Sequence, residues 1–195
     1  MILEEKEITK TPPKREHDCL VSIGEQITIA KLSMCLNSLN IPAVSLAGWQ
    51  VPIITDNNYG DANIKFIGTE RIKKELAKGN VVIVAGFQGI DDDNNITTLG
   101  RGGSDTTAVA LAAYLQAKRC DIYTDVDGVY SDDPNKVKDA IKFEVLSYDK
   151  MLEMANNGAK VLHNKCVEMA KKYNVPIIVK SSFKHEGGGT LVANM

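Results

Sequence analysis

Val81-Val82-Ile83-Val84-Ala85 is an apolar run of strand length without alternation, the pattern of a strand buried on both faces of a parallel sheet. Before it, Thr69 is placed to cap a helix running to about Lys78, with Ile72 and Leu76 inward and Gly79-Asn80 as its end. After it come a polar turn at Asp91–Asn95, a short strand at Ile96–Thr98 and a long Ala-rich helix from Thr106 to about Lys118. Further strands are expected at Ala43–Ala47, Ile53–Thr55, Asp121–Thr124 and Ile177–Lys180, and helices at Tyr148–Asn156 and Asn164–Tyr173. Between Asp18 and Asn40 the residues Leu20, Ile23, Ile27, Ala30 and Met34 recur at helical spacing and predict one inward stripe, with Gly24 and Glu25 interrupting the helix near its start. Residues 1–17 form a polar leader in which Pro12-Pro13 breaks any helix. Strands alternating with helices specify an α/β domain with a mostly parallel sheet.

Composition narrows the function. The 195 residues are 44% hydrophobic and 25% charged, which is the globular range and excludes disorder, collagen and coiled coil. A net charge of −2 gives no basic field to grip nucleic acid. The longest apolar stretch, Val81–Phe87, is far below the ~20 residues of a membrane span, and the acidic N-terminus has no signal-peptide core. The four cysteines, Cys19, Cys35, Cys120 and Cys166, form no CxxC pair, so reduced thiols in a cytoplasmic protein are expected, with no protein-held metal.

Four segments have the residues for chemistry. In Thr97-Thr98-Leu99-Gly100-Arg101-Gly102-Gly103-Ser104-Asp105 the glycines let backbone N–H groups approach an anion, and the helix that follows adds partial positive charge. Arg101 has the fork to clamp a carboxylate, Ser104 is a second donor, and Asp105 is either the helix N-cap or a site carboxylate. The run is neither a P-loop nor GxGxxG, and an ordinary strand–helix turn has the same composition. The stretch Tyr123–Pro134 starts at the C-terminal end of a strand, where α/β sites lie. Its register fails as a calcium loop, because Tyr123 and Pro134 fall where carboxylates are required. As a nucleotide loop it offers Thr124 and Asp125 to a ribose or base and Tyr130 for stacking; the alternative is a solvated acidic loop. In Gly158–His163, Lys160 is either a phosphate ligand or a surface lysine, and His163 is placed to cap the next helix or to hydrogen-bond locally. In Val21–Glu25, Glu25 lies on the side of Ile29; it is either a ligand for a substrate ammonium or a rim carboxylate meeting a lysine.

Taken in order, these segments resemble the catalytic domain of aspartate kinases within the amino-acid kinase family. The likeness runs through Lys14-Arg15-Glu16, Ser22–Gln26, Gly48-Trp49-Gln50, Val84–Gly89, Thr97–Asp105, Tyr123–Asp133, Gly158–His163, Val179–Phe183 and Gly189-Thr190-Leu191, nearly the whole chain. It implies a three-layer α/β/α sandwich and transfer of the ATP γ-phosphate to the β-carboxylate of L-aspartate, the first step toward lysine, threonine and methionine. By this resemblance Glu25 holds the substrate ammonium, Arg101 and Ser104 hold its carboxylate end, and Asp105 organises the site. Gly102, Gly103, Thr124, Asp125, Tyr130, Asn135 and Lys160 serve the nucleotide, with Mg²⁺ carried by ATP. The substrates ATP and aspartate are the expected partners, with no nucleic acid or membrane, and with a homo-oligomer or a complementary chain as a further expectation.

The sequence departs from the family in several places. Members open with a strand ending in Lys-Phe-Gly-Gly-Thr-Ser, and no such motif occurs in this sequence. Asn135 stands where the family usually has Arg, with Lys136 beside it, and Asn164 stands where Pro is usual. The expectation is therefore a single incomplete domain over 1–195, without its first strand and without regulatory domains, with little turnover of its own.

Overall fold

The computed structural model describes residues 2–132, 136–157, 161–184 and 188–194. They fall into two compact units, Met1–Ser104 and Asp105–Met195.

The first unit opens with three helices, α1 (Ile2–Ile8), α2 (Lys14–Val21) and α3 (Ile23–Ser38). The prolines separate helices instead of preventing them. Pro13 is the N-cap of α2, with φ −56°, and its missing N–H costs nothing ahead of the first turn. The polar leader is thus helical on both sides of Pro12-Pro13. The interruption expected at Gly24 and Glu25 falls two residues earlier, at Ser22. Ser22 alone separates α2 from α3, its N–H still donates to the Asp18 carbonyl at 3.1 Å, and Gly24 and Glu25 lie inside the first turn of α3.

The face of α3 differs from the expected stripe. Ile23, Ile27 and Met34 are 40%, 47% and 64% exposed, while Ile29 and Ser33 are buried. Apolar residues surround α3 on most sides, so periodicity leaves the docking face open. Polar bonds select it: Ser33 Oγ and Asn37 Nδ2 donate to the Ala43 carbonyl at 3.2 and 2.9 Å, fixing α3 to the next strand. By length and composition Lys14–Ser38 also meets the requirement for a membrane span. Here the same segment packs within its unit, with Asp18 fully buried among hydrogen-bond donors.

Strand β1 (Ala43–Leu46) is followed by β2 (Ile53–Thr55), β3 (Ile64–Ile67), helix α4 (Glu70–Ala77), β4 (Val81–Val84), β5 (Gln88–Ile90) and β6 (Ile96–Thr98). β1 and β4 form a parallel pair, Ala43 opposite Val81 through Leu46 opposite Val84. The other sheet has the order β3-β2-β5-β6 and packs Val51, Ile53, Ile67 and Leu99 fully inside. Thr69 occupies the cap position of α4 without a side-chain bond, and Leu76 is 50% exposed while Glu75 is buried. Glu75 points inward because Lys78, Arg71 and Asn80 all donate to its carboxylate, holding it below the usual carboxylate range. Burial of β4 on both faces is not realised: Val81 is 43% exposed and Val82 to Val84 are half-buried. Among the described residues β4 pairs on one edge only, with β1.

The second unit contains most of α5 (Gly103–Tyr114), then β7 (Cys120–Thr124), β8 (Val145–Ser147), α6 (Tyr148–Asn156), α7 (Asn164–Tyr173), β9 (Ile177–Ser181) and β10 (Thr190–Ala193). Its sheet order is β7-β9-β10-β8. Tyr148, Met151, Leu162, Cys166, Ile177, Val179 and Val192 fill the core between this sheet and its helices. Ser147 Oγ caps α6 by accepting from the Lys150 N–H at 3.2 Å, and α7 ends at the left-handed Asn174. The α/β class holds, with mostly parallel pairing: β1/β4, β2/β5, β7/β9 and β8/β10 are parallel, while β2/β3, β5/β6 and β9/β10 are antiparallel.

Candidate active site

The chemistry-bearing turn of the first unit is built by its sheet. Thr97 on β6 hydrogen-bonds Thr55 on β2, hydroxyl to hydroxyl at 2.6 Å, and the Leu99 N–H donates to the Phe87 carbonyl at 2.9 Å. The chain then reverses. Gly100 has φ +75°, and a side chain there would meet the Asp61 carboxylate at 2.7 Å, so only glycine fits. The Gly103 N–H closes the turn onto the Gly100 carbonyl at 3.1 Å, and α5 begins at Gly103. A Cβ on Gly103 would lie 2.8 Å from the Phe87 ring and 3.0 Å from Leu99. The helix N-terminus therefore sits tight against Phe87.

Arg101 and Ser104 project from this turn, both exposed. Arg101 meets no carboxylate in an ion pair among the described residues, which leaves its fork available to an anion beside the positive end of a helix. Ser104 lies against Gly86, where an added Cβ would be 3.1 Å from its Cα.

Phe87 itself was not singled out by the sequence. It has φ +66°, a strained conformation for a bulky side chain, and such strain concentrates at functional sites. The signal present was the glycine on either side of Phe87-Gln88. Gln88 is fully buried, and its Nε2 donates to the Ser22 carbonyl at 2.9 Å. That bond ties β5 to the start of α3, which carries Glu25 in its first turn. Glu25 is half-buried, its carboxyl is pushed up by burial, and no cation pairs with it among the described residues. A carboxylate left without a cation at a partly desolvated position is suited to an incoming ammonium.

In the second unit Asp105 is the third residue of α5, not its N-cap. Burial pushes its carboxyl up, with His163 opposing the shift. His163 occupies the N-cap position of α7 without a side-chain cap bond. Thr124 ends β7, where its hydroxyl donates to Asp125 at 3.1 Å and its carbonyl accepts from the Ser182 N–H at 2.7 Å. The Tyr130 hydroxyl donates to Asp127 at 2.8 Å, so the ring is fixed by its own loop. Asp127 also accepts from Lys184 at 3.2 Å, with Lys142 at 3.7 Å, and these partners hold its carboxyl below the usual range. Nearby, Tyr123 is 62% exposed with the Lys180 ammonium 5.8 Å from its ring centre. Burial raises the Cys120 thiol to about 11 and the Cys166 thiol well above its usual value, so neither is a thiolate nucleophile. Asn135 and Lys160 lie outside the described residues.

The amino acid kinase family model matches residues 2–181. The chain belongs to the amino acid kinase family. It is 56% identical over 183 residues to an aspartokinase of Bacillus sp. (strain MGA3), covering 94% of this chain and 44% of that protein. It is 55% identical over 187 residues to an aspartate kinase of Pseudomonas putida, covering 96% of this chain and 45% of that protein. Among solved structures, E. coli aspartokinase III in complex with aspartate and ADP superposes with a TM-score of 0.88 at 34% identity, over 95% of this chain and 42% of that one. Aspartate kinase from Synechocystis gives 0.84 at 45% identity, over the whole chain and 32% of the other. The chain thus spans less than half the length of these relatives.

Proposed function

We propose that this amino acid kinase family chain contains the substrate sites of an aspartate kinase. A β-carboxylate oxygen of L-aspartate bonds to the γ-phosphorus of ATP as the bond to the bridging oxygen breaks, leaving ADP and 4-phospho-L-aspartate. The observation that supports this best is the turn at Gly100–Ser104, where Arg101 stands at a helix N-terminus without an ion-pair partner among the described residues. In this reading Arg101 and Ser104 hold the aspartate carboxylate and Glu25 its ammonium. Asp105 organises the site. Gly102, Gly103, Thr124, Asp125, Tyr130, Asn135 and Lys160 serve ATP. Phosphoryl transfer asks mainly for positioning and positive charge. Mg²⁺ supplies part of that charge as it arrives with the nucleotide, and no residue of the chain is assigned to it. The protein would act in the cytoplasm, feeding amino-acid biosynthesis.

A second reading is binding of nucleotide or aspartate without turnover. It is favoured by β4 and β7, each paired on one edge only among the described residues. Such edges accept another strand, from a second copy or a complementary chain. Calorimetric titration with aspartate and with ATP, beside an ADP-release assay, separates the two readings. Saturable binding with aspartate-dependent ADP release supports the kinase, binding alone supports the second reading, and no binding of either ligand removes both.

A further inference from the structure

We infer that Asp18 is a positioning residue for the Gly100–Ser104 turn, an inference that rests on the reading of that turn as the aspartate-holding site. Asp18 lies on α2 and is fully buried, yet it has no cation partner among the described residues. Instead its carboxylate collects three donors from two other segments. Oδ2 accepts from the Gly60 N–H at 2.9 Å and the Thr98 N–H at 2.8 Å, and Oδ1 accepts from the Thr98 hydroxyl at 2.8 Å. A buried carboxylate is costly, and charge-assisted bonds of this number offset that cost.

The two segments it gathers stand on either side of Gly100. Thr98 lies two residues before Gly100. The Gly60-Asp61 loop touches Gly100 directly, since a Cβ there would fall 2.7 Å from the Asp61 carboxylate and 3.1 Å from the Gly60 carbonyl. The Ala62 N–H, next in the loop, donates to the Thr98 carbonyl at 2.9 Å. Asp18 therefore fixes both walls of the turn that presents Arg101. Further along the same helical segment, the Ser22 carbonyl accepts from Gln88, one residue after the strained Phe87 that packs on Gly103. The α2–α3 junction is thus tied at two points to the strands that position Arg101 and Ser104, and α3 carries Glu25 just beyond it. A small shift of Asp18 would change the spacing between the carboxylate clamp and the ammonium ligand, which is where a positioning effect on affinity arises.

The test uses the whole chain and three substitutions. Asp18→Ala removes every acceptor. Asp18→Asn keeps one oxygen for the two N–H groups and turns its amide toward the Thr98 hydroxyl, which can accept. Thr98→Val deletes the hydroxyl bond alone. Amide hydrogen exchange resolved by segment is measured with aspartate and ATP affinity. Asp18→Ala is expected to speed exchange at Gly60 and Leu99–Gly103 by about tenfold or more while β1 and β4 change by less than about twofold. It is also expected to weaken aspartate binding by about tenfold without moving ATP binding. Asp18→Asn restores most of both effects, and Thr98→Val falls between. Should Asp18→Ala fail to fold, Thr98→Val and Asp18→Asn keep the same contrast. Equal acceleration across β1, β4 and the turn would reduce Asp18 to a general stabiliser, and an unchanged turn would overturn the inference outright. If the unmodified chain takes up no aspartate, the substrate assignment of the turn fails, while the exchange contrast still decides the role of Asp18.

Discussion

The turn at Gly100–Ser104 and the loop at Thr124–Tyr130 both follow a strand, and they are held by different forces. The turn rests on buried acceptors, Asp18 with its three donors and the Thr55–Thr97 hydroxyl pair, and on the carbonyl of half-buried Phe87. The loop rests on Asp127, whose side chain is 28% exposed and shared among Tyr130, Lys184 and Lys142. Buried bonds are insulated from solvent and ions, whereas partly exposed ion pairs are screened. The turn therefore has a rigid frame around an arginine that forms no ion pair among the described residues, and the loop a set of charges that salt can rearrange.

The sharpest challenge to this contrast is Arg101→Ala. It should weaken aspartate binding by about 2–4 kcal/mol, because a substrate carboxylate loses its bidentate partner. ATP binding should stay nearly constant. Calorimetry with each ligand checks this, and intact aspartate affinity would reduce the turn to an ordinary strand–helix connection.

Packing gives the next largest effect. Gly103→Ala forces a Cβ to within 2.8 Å of Phe87 and 3.0 Å of Leu99. Overpacking of this kind should cost about 1–3 kcal/mol. Gly188, with nothing within 4 Å of an added Cβ, should tolerate Ala within about 0.5 kcal/mol. Urea midpoints for the two variants measure the difference, and equal losses would mean the turn is not tightly framed.

A pH experiment probes Asp105. Burial raises its folded pKa, so its favourable contribution is full below the unfolded value of about 3.9 and is lost as pH rises through the folded one. Asp105→Asn should accordingly raise the thermal midpoint at neutral pH by about 1–3 °C, with the gain vanishing in acid. Melting curves from acid to neutral pH test this, and a lowered midpoint at neutral pH would show that an unseen cation already compensates Asp105.

The smallest effect belongs to the loop. Asp127 has a lowered folded pKa, so its stabilisation is present above the unfolded value and disappears as pH falls through the folded one. Asp127→Asn should cost no more than about 1 kcal/mol. That cost should shrink in about 0.5 M salt, whereas the effect of Asp18→Ala should not. Salt-independent loss at Asp127 would erase the distinction between the two regions.

Local sequence was sufficient where one short segment fixes its own partners. α6 and α7 were legible to the residue, because Ser147 caps one and Asn174 stops the other. The turn between β6 and α5 was legible because its glycines take the positive φ that such a reversal needs, as Gly100 and Gly102 do. Four strands were not: β3, β5, β8 and β10 take their identity from the strands they pair with rather than from their own sequence. Phe87 was overlooked because its left-handed backbone is imposed by contacts with Leu99 and Gly103 far along the chain. The prolines misled because the same residue that breaks a helix interior begins one at its N-terminus.

The sequence by itself determined the α/β class and the family, since these follow from patterns of neighbouring side chains. Only the tertiary structure decided which face of α3 is buried, that Glu75 and not Leu76 turns inward, and that Asp18 underpins the turn. Each of those outcomes depends on which hydrogen bonds and ion pairs the side chains find in the folded chain. Asp18 meets Gly60 across 42 residues of chain and Thr98 across 80. No local propensity encodes a bond of that reach; it exists because burying an unpaired carboxylate costs more than ordering the segments that satisfy it.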